Sequence, residues 1–450
     1  MESHSNASAP IALPPLTPTQ WLICAVAGLG FAFDLYETLM GALIVGPVLT
    51  SLGGMVPGSA RFNSWVGLFF VLPAVAGGAF GLLGGYLTDR FGRRRVLVWS
   101  ILLYGCSAGA AGFATSLPML LVLRCATMIG VFVEAVAAVA WLAELFPVPR
   151  QRELVLAYAQ SCYAFGGLMV SGAYYLAVTH SDSLPALLGH HDAWRYTLLS
   201  GLIPAVPLMI VRPFLPESPM WRERKKRTSP TRTSIAALFA SDMRRTTLLT
   251  TLMMACTLAI PYGALQQTPR VVPGLIWLQG LGPRQIEQAV SRMFLVQELG
   301  SVVGRVLFAV LVVRVVQSKR LLQLFLMPAA FLLPWLFLSA PTGSPIWFII
   351  GVFGAQVLFN GMHSFWGNYL PRVFPTSVRG TGEAFAMNVG GRMIGVCAAL
   401  ATTHLANVTS GALAATRLAR AAGTTMVIVL AVFVVASVWL PEPRDDALPQ

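Results

Sequence analysis

The sequence predicts an all-α membrane protein, with twelve transmembrane helices in two pseudo-symmetric halves of six. Three observations predict it. The chain of 450 residues is 56% apolar and 11% charged, with a mean hydropathy of +0.69. About a quarter of a soluble domain is charged, so this surface does not suit water. The apolar residues gather in runs of roughly 19 to 29 residues, each enough to cross a hydrocarbon layer of about 30 Å. The basic residues are concentrated in alternate connections between those runs.

In chain order the first six runs are Gln20–Val48, Trp65–Thr88, Val96–Ala114, Met119–Leu145, Leu154–Val178 and Trp194–Phe214. The other six are Thr246–Thr268, Ala289–Val313, Leu321–Ser339, Ile346–Leu370, Gly382–Leu405 and Thr424–Leu440. Residues 19–214 and 246–441 are therefore expected to form two six-helix halves. The basic stretch 215–245, rich in Ser, Thr and Pro, reads as a cytoplasmic linker between them. Residues 1–18 are polar and Pro-rich and lack the basic start of a signal peptide, so they and 442–450 read as tails. One set of loops carries Arg90, Arg93–Arg95, Arg150, Arg152, the cluster from Arg222 to Arg245, Lys319, Arg320, Arg372 and Arg379. The other set carries only Arg61, Arg195, Arg270, Arg284, Arg292, Arg417 and Arg420. The positive-inside rule then places both termini in the cytoplasm of a cell membrane. A net charge of +13 is accounted for by loops facing anionic lipid, and the apolar runs exclude a nucleic-acid partner.

Internal repetition supports two halves. Trp141-Leu-Ala-Glu144-Leu-Phe146-Pro147 after the fourth run is echoed 228 residues later by Tyr369-Leu-Pro-Arg372-Val-Phe374-Pro375 after the tenth. The six cysteines lie inside apolar runs without a CxxC pair, so no disulfide frame, metal site or cofactor is expected.

Between the second and third runs lies Gly85-Tyr86-Leu87-Thr88-Asp89-Arg90-Phe91-Gly92-Arg93-Arg94-Arg95. Gly85 is expected to let two helices approach. Asp89 is expected to accept from a neighbouring helix N-terminus, and Gly92 to permit the turn. With Arg90, Arg93 and Arg94 they make a gating loop. This Gly-x-x-x-Asp-Arg-x-Gly-Arg-Arg pattern resembles the loop between helices 2 and 3 of the major facilitator superfamily of transporters. Pro216-Glu217-Ser218-Pro219 is similar to the motif ending the first half of sugar porters. Phe374–Gly382 and Asn388-x-x-Gly391-Arg392-x-x-Gly395 are similar to stretches of the aromatic acid, metabolite:proton symporter and synaptic-vesicle-like branches. The resemblance implies alternating access, a cavity between the halves, and a monomer. Glu217 and the run Arg222–Arg227 are expected on the inner face, holding the halves in the outward-open arrangement, as the Asp89 loop does. Departures bear on substrate. Of the glycines that follow the fourth-run arginine in sugar porters only Gly130 remains after Arg124. Gln266-Gln267 lies at the far end of the seventh run, where it is expected not to face the cavity as in sugar porters. The Asp-Gly-x-Asp of aromatic acid transporters is reduced to Asp34.

Charges within the runs are expensive in lipid, so each is a candidate. Asp34 and Glu37 share a helix face, and Glu134 sits mid-way along the fourth run. Arg124 is ten residues before Glu134, about 15 Å along a helix, so its expected partner is Asp34 or Glu37. Burial favours the neutral form of a carboxyl group and a nearby guanidinium favours the ionised form. Asp34, Glu37, Glu134 and Arg124 are therefore the proton-coupling candidates, a static ion pair being the alternative. Arg305 and Arg392 can clamp a carboxylate with paired hydrogen bonds, unless Glu298 neutralises Arg305 and Arg392 only caps carbonyls. Gln160, Tyr163, Tyr262, Gln266, Gln356, Asn360, His363 and Asn368, with Trp366 as a wall, complete the expected lining. His363 is also able to titrate near neutral pH. The chain is thus expected to be a proton-coupled symporter of a small organic anion. The alternatives are a proton-driven exporter of drugs or cationic metabolites, and a sugar or polyol symporter. A non-transporting sensor is disfavoured because no large soluble domain is present. No nucleotide loop or catalytic constellation suggests an enzyme. Substrate, protons and lipid are the expected partners.

Overall fold

The computed structural model describes residues 15–226, 235–312, 314, 318–340, 342–375, 378–411 and 413–441. Residues 1–14 of the expected first tail, the tail 442–450, residues 227–234 of the basic linker and the Thr376-Ser377 part of the loop after the tenth run lie outside the described residues. We label the long helices α1 (Pro18–Ser51), α2 (Ala60–Phe91), α3 (Arg93–Ala111), α4 (Leu117–Leu145), α5 (Arg150–Ser183) and α6 (Ala193–Phe214). The second set is α7 (Arg244–Gly274), α8 (Pro283–Val312), α9 (Lys319–Ser339), α10 (Pro345–Val373), α11 (Arg379–Val408) and α12 (Ala414–Val438). All but α3 are long and apolar enough throughout to cross a membrane; α3 is helical over 19 residues but opens on three arginines.

Local signals start these helices where polar caps precede the apolar runs. Thr17 accepts from Gln20 N while the Gln20 side chain reaches back to Thr17, a capping box ahead of α1. Ser59 and Ser116 cap α2 and α4 through the amides of Phe62 and Met119. The helices overrun the apolar runs at several ends, because hydropathy marks the lipid-buried stretch and caps mark the helix.

Two buried cores form. One joins residues from Ile23 to Leu215 and reaches across to Tyr262, Phe294, Val396 and Ala399; the other spans Leu238 to Leu440. The halves meet along two seams, α2 against α11 and α5 against α8, with α1 touching the end of α7. Advancing six helices converts one seam into the other, as a parallel repeat requires.

Two irregularities shape the seam. In α7, Pro261 removes a backbone donor. The helix stops at Gly263, and a 3-10 turn Leu265–Gln267 and a helical turn Thr268–Val271 continue it. In α11, residues Ala386–Gly395 form a π-helix carrying Asn388 and Arg392; such stretches are rare and gather at functional sites.

At the end of the bundle opposite the 89–95 loop, hydrogen bonds join the halves. Arg284 at the start of α8 donates to Val178 O (3.1 Å), to Asp182 (2.6 Å) and to Thr179 O at the end of α5. Asn63 donates to Asn407 (2.7 Å) and Arg417 to Gly58 O (3.2 Å).

Candidate functional site

At the 89–95 loop, Gly92 has φ +99°, and a Cβ there would lie 2.5 Å from Glu217 Oε2. That carboxylate is buried and accepts from the amides of Arg93 (3.1 Å), Arg94 (3.2 Å) and Ser218 (2.9 Å). Glu217, rather than Asp89, therefore takes the N-terminus of the next helix. Asp89 instead pairs with Arg93 at 2.7 Å with its side chain 64% exposed, a pair worth about 0–1 kcal/mol. Arg93 is buried and also reaches Thr88 O and Glu144, each at 3.0 Å. Arg90 stacks near Tyr86 and Phe91. Gly85 does not serve close packing, because a Cβ there would meet nothing within 4 Å; the buried face of α2 passes through Gly81 and Gly84 instead. These contacts lie within the first half and the start of the linker.

Between the halves is a cavity of about 290 Å³. From the first half it is lined by Asp34, Thr38, Phe132, Gln160 and Tyr163. From the second come Tyr262, Gln266, Gln297, Glu298, Ser301, Arg305, Gln356, Asn360, His363 and Arg392. The expected lining is therefore assembled with two corrections. Trp366 is off the wall: it is buried, packs edge-to-face with Phe365 and Tyr369, and donates to Thr257 Oγ1 at 2.8 Å. Asn368, expected there, is not among the lining residues either. Gln266 faces the cavity, as expected of the lining, because the break after Gly263 turns it inward.

The membrane charges sort into paired and unpaired sets. Arg124 donates to Glu37 Oε2 (3.2 Å) and to Glu37 O (2.7 Å), with both side chains buried. Glu134 pairs with Arg212 at the end of α6, against Gly30, where a Cβ would have no room. Neither pair lines the cavity. Arg212 was missed as a partner; an arginine inside the sixth run was its signal. Asp34 is 2% exposed, and neither carboxylate oxygen has a partner among the described residues. Glu298 receives a hydrogen bond from Gln356 (3.2 Å) and forms no ion pair with Arg305. The guanidinium of Arg305 lies 5.3 Å from the Tyr163 ring centroid and makes no hydrogen bond to a described residue. Arg392 donates to Asn388 (2.8 Å) and lies 3.8 Å from the Phe132 ring centroid, a cation–π contact across the halves. His363 packs against Phe359 on the wall.

Such a site can hold a small ligand between cations on one half and a carboxyl group on the other; among the described residues no group of side chains is set to bind a metal. The Major Facilitator Superfamily family model matches residues 25–400. The chain belongs to the major facilitator superfamily. Relatives of this major facilitator protein are named as transporters. It is 28% identical over 93% of its length to 90% of a probable 4-methylmuconolactone transporter of Cupriavidus pinatubonensis. It is 27% identical over 92% of its length to 88% of a 3-(3-hydroxy-phenyl)propionate transporter of Escherichia coli. It is 24% identical over 83% of its length to 85% of a sialic acid transporter of the same organism. The crystal structure of a D-xylose-proton symporter superposes with a TM-score of 0.75 at 19% identity, covering 95% of this chain and 99% of that one, which shows a shared fold. The protein is a multi-span membrane transporter and not an enzyme.

Proposed function

We propose that this transporter carries a small organic anion together with protons, by alternating access across the cell membrane. One observation carries the reading. Arg305 and Arg392 stand on one wall without a carboxylate partner, and across from them Asp34 stands without a cation partner. A carboxylate entering between the arginines supplies the missing charge. Asp34, buried and without a hydrogen-bond partner among the described residues, then exchanges its proton as the cavity opens to either side. Glu37, Arg124 and Glu134 are already paired off the wall, so Asp34 is the coupling group and they set its surroundings. Propionate and sialic acid, named for two relatives, are carboxylates, which fits. With the basic loops in the cytoplasm, the Arg284 end is the outward mouth, closed here, and basic loops face anionic lipid.

The test is the pH outside de-energised proteoliposomes on adding a panel of carboxylates, sugars and cationic drugs. External alkalinisation with a carboxylate, lost in Asp34→Asn, is the expected result. A signal only with cations would sink the reading in favour of an exporter. A signal only with sugars would favour the second reading, a sugar or polyol symporter, which the amide-rich wall of Gln160, Gln266, Gln297, Gln356 and Asn360 supports.

A further inference from the structure

Arg270 sits four residues beyond Gln266, on the turn Thr268–Val271 that follows the break in α7. Its Nε, Nη1 and Nη2 are all withdrawn from solvent, and none has a hydrogen-bond partner among the described residues. Among the described residues no carboxylate lies within ion-pairing distance of it. Its stem packs on α1, where a Cβ at Gly46 would lie 3.8 Å from its Cγ. Gly46 is twelve residues past Asp34 on α1, about 18 Å along the helix, toward the end closed by Arg284. Arg270 is not on the cavity wall. It therefore occupies the seam between the halves, between the cavity and that mouth.

A guanidinium carries five donors and no acceptor. Burying it bare costs several kcal/mol. Arg124, Arg212 and Arg93 are matched by Glu37, Glu134 and Glu144, whereas Arg270, like Arg305 and Arg392 on the cavity wall, has no carboxylate partner among the described residues. Its place explains it. When the halves part at that mouth the α1–α7 contact opens and the cation is hydrated; when they close it is dry and needs an anion or must lose one to the cavity.

We propose that Arg270 is an anion-binding site at the outward mouth, separate from Arg305 and Arg392, which receives the substrate carboxylate before it reaches the cavity. This rests on the organic-anion reading and the orientation given above. An inorganic anion such as chloride shares the chemistry, and the experiment separates the two sources.

Purified protein is unfolded thermally in detergent with sodium benzoate or sodium chloride titrated at constant ionic strength. An Arg305→Ala/Arg392→Ala background removes the cavity site. Benzoate is expected to raise the midpoint in that background, with the rise lost in Arg270→Gln and kept in Arg270→Lys. Stabilisation by chloride alone would overturn the substrate route and leave an inorganic-anion site. No Arg270-dependent stabilisation by either anion would overturn the proposal whatever the cargo. In proteoliposomes, Arg270→Gln is expected to raise KM at least tenfold from the Arg284 side while KM from the other side stays within twofold, and Arg270→Lys restores it. An equal change on both sides would make Arg270 structural and overturn the route. If the otherwise unaltered protein moves no carboxylate, the organic-anion reading has failed, and the unfolding experiment decides the site.

Discussion

Glu134 and Arg212 form a buried pair with no reserve. Both side chains are at most 5% exposed, and Glu134 Oε2 and Arg212 Nη1 have no other partner among the described residues. Gly30 of α1 closes over them. Replacing Glu134 by Leu strands the guanidinium in a dry interior, which costs about 3–5 kcal/mol. Replacing Arg212 by Met strands the carboxylate at a similar cost. Removing both together, Glu134→Leu with Arg212→Met, leaves apolar groups of comparable volume, and such swaps are often neutral or stabilising. The double variant is therefore expected to return close to the parent, giving a coupling energy of several kcal/mol in a double-mutant cycle. The assay is reversible unfolding in mixed micelles, with external alkalinisation measured in parallel. Because Asp34 remains, the double variant is also expected to keep proton-coupled uptake. Two results would refute this reasoning: single variants that lose less than about 1 kcal/mol, or a double variant that folds but no longer moves protons. The second would return Glu134 to the coupling machinery that the sequence suggested.

Further outcomes are expected at five other places. Gly92→Ala forces a side chain into a glycine-only backbone region and against Glu217, so it should cost about 1–3 kcal/mol in the same unfolding assay; an unchanged midpoint would count against the Glu217 clamp. Trp366→Phe gives up one hydrogen bond worth about 0.5–1.5 kcal/mol, lowering the midpoint slightly while KM stays within twofold. Arg305→Ala should raise KM at least tenfold, about 1.4 kcal/mol, with little change in stability. Arg392→Ala should lose both, because it also holds Asn388 and covers Phe132. Arg284→Ala should shift the halves toward opening at that end by about 1–2 kcal/mol, a factor of 5–30 in population, read as a longer spin-label distance across the α5–α8 seam.

The architecture was legible because lipid imposes it: runs of membrane length and loops sorted by Arg and Lys admit few other folds. Much of the cavity wall was legible too, since a polar side chain in an apolar run must find either a buried partner, as Glu37 and Glu134 do, or a cavity. Asp34, Arg305 and Arg392 declared themselves that way. What failed depended on geometry that composition does not carry. Trp366 was expected as a wall among the polar residues of the tenth run, and its indole finds Thr257 on α7. Glu134 was given no partner because Arg212, 78 residues on, is close only after α6 packs beside α1. Asp89 was given the role of Glu217 because loop neighbours in sequence were read as neighbours in space.

The contacts that close one mouth are of a kind that water can replace. Arg284 binds Val178 O and Thr179 O, carbonyls in the last turn of α5 that have no intrahelical donor. Its ion pair with Asp182 is exposed, 47% and 72% for the two side chains, so it adds about 0–1 kcal/mol. When the halves separate there, water takes the same carbonyls and the same guanidinium, and little is left unsatisfied. The Asp34 level behaves in the opposite way. There the polar groups are dry, and only a ligand or a proton can complete them. A mouth that trades bonds with water and a centre that cannot are together what alternating access requires: opening is nearly balanced in energy, while what sits in the cavity decides which opening follows.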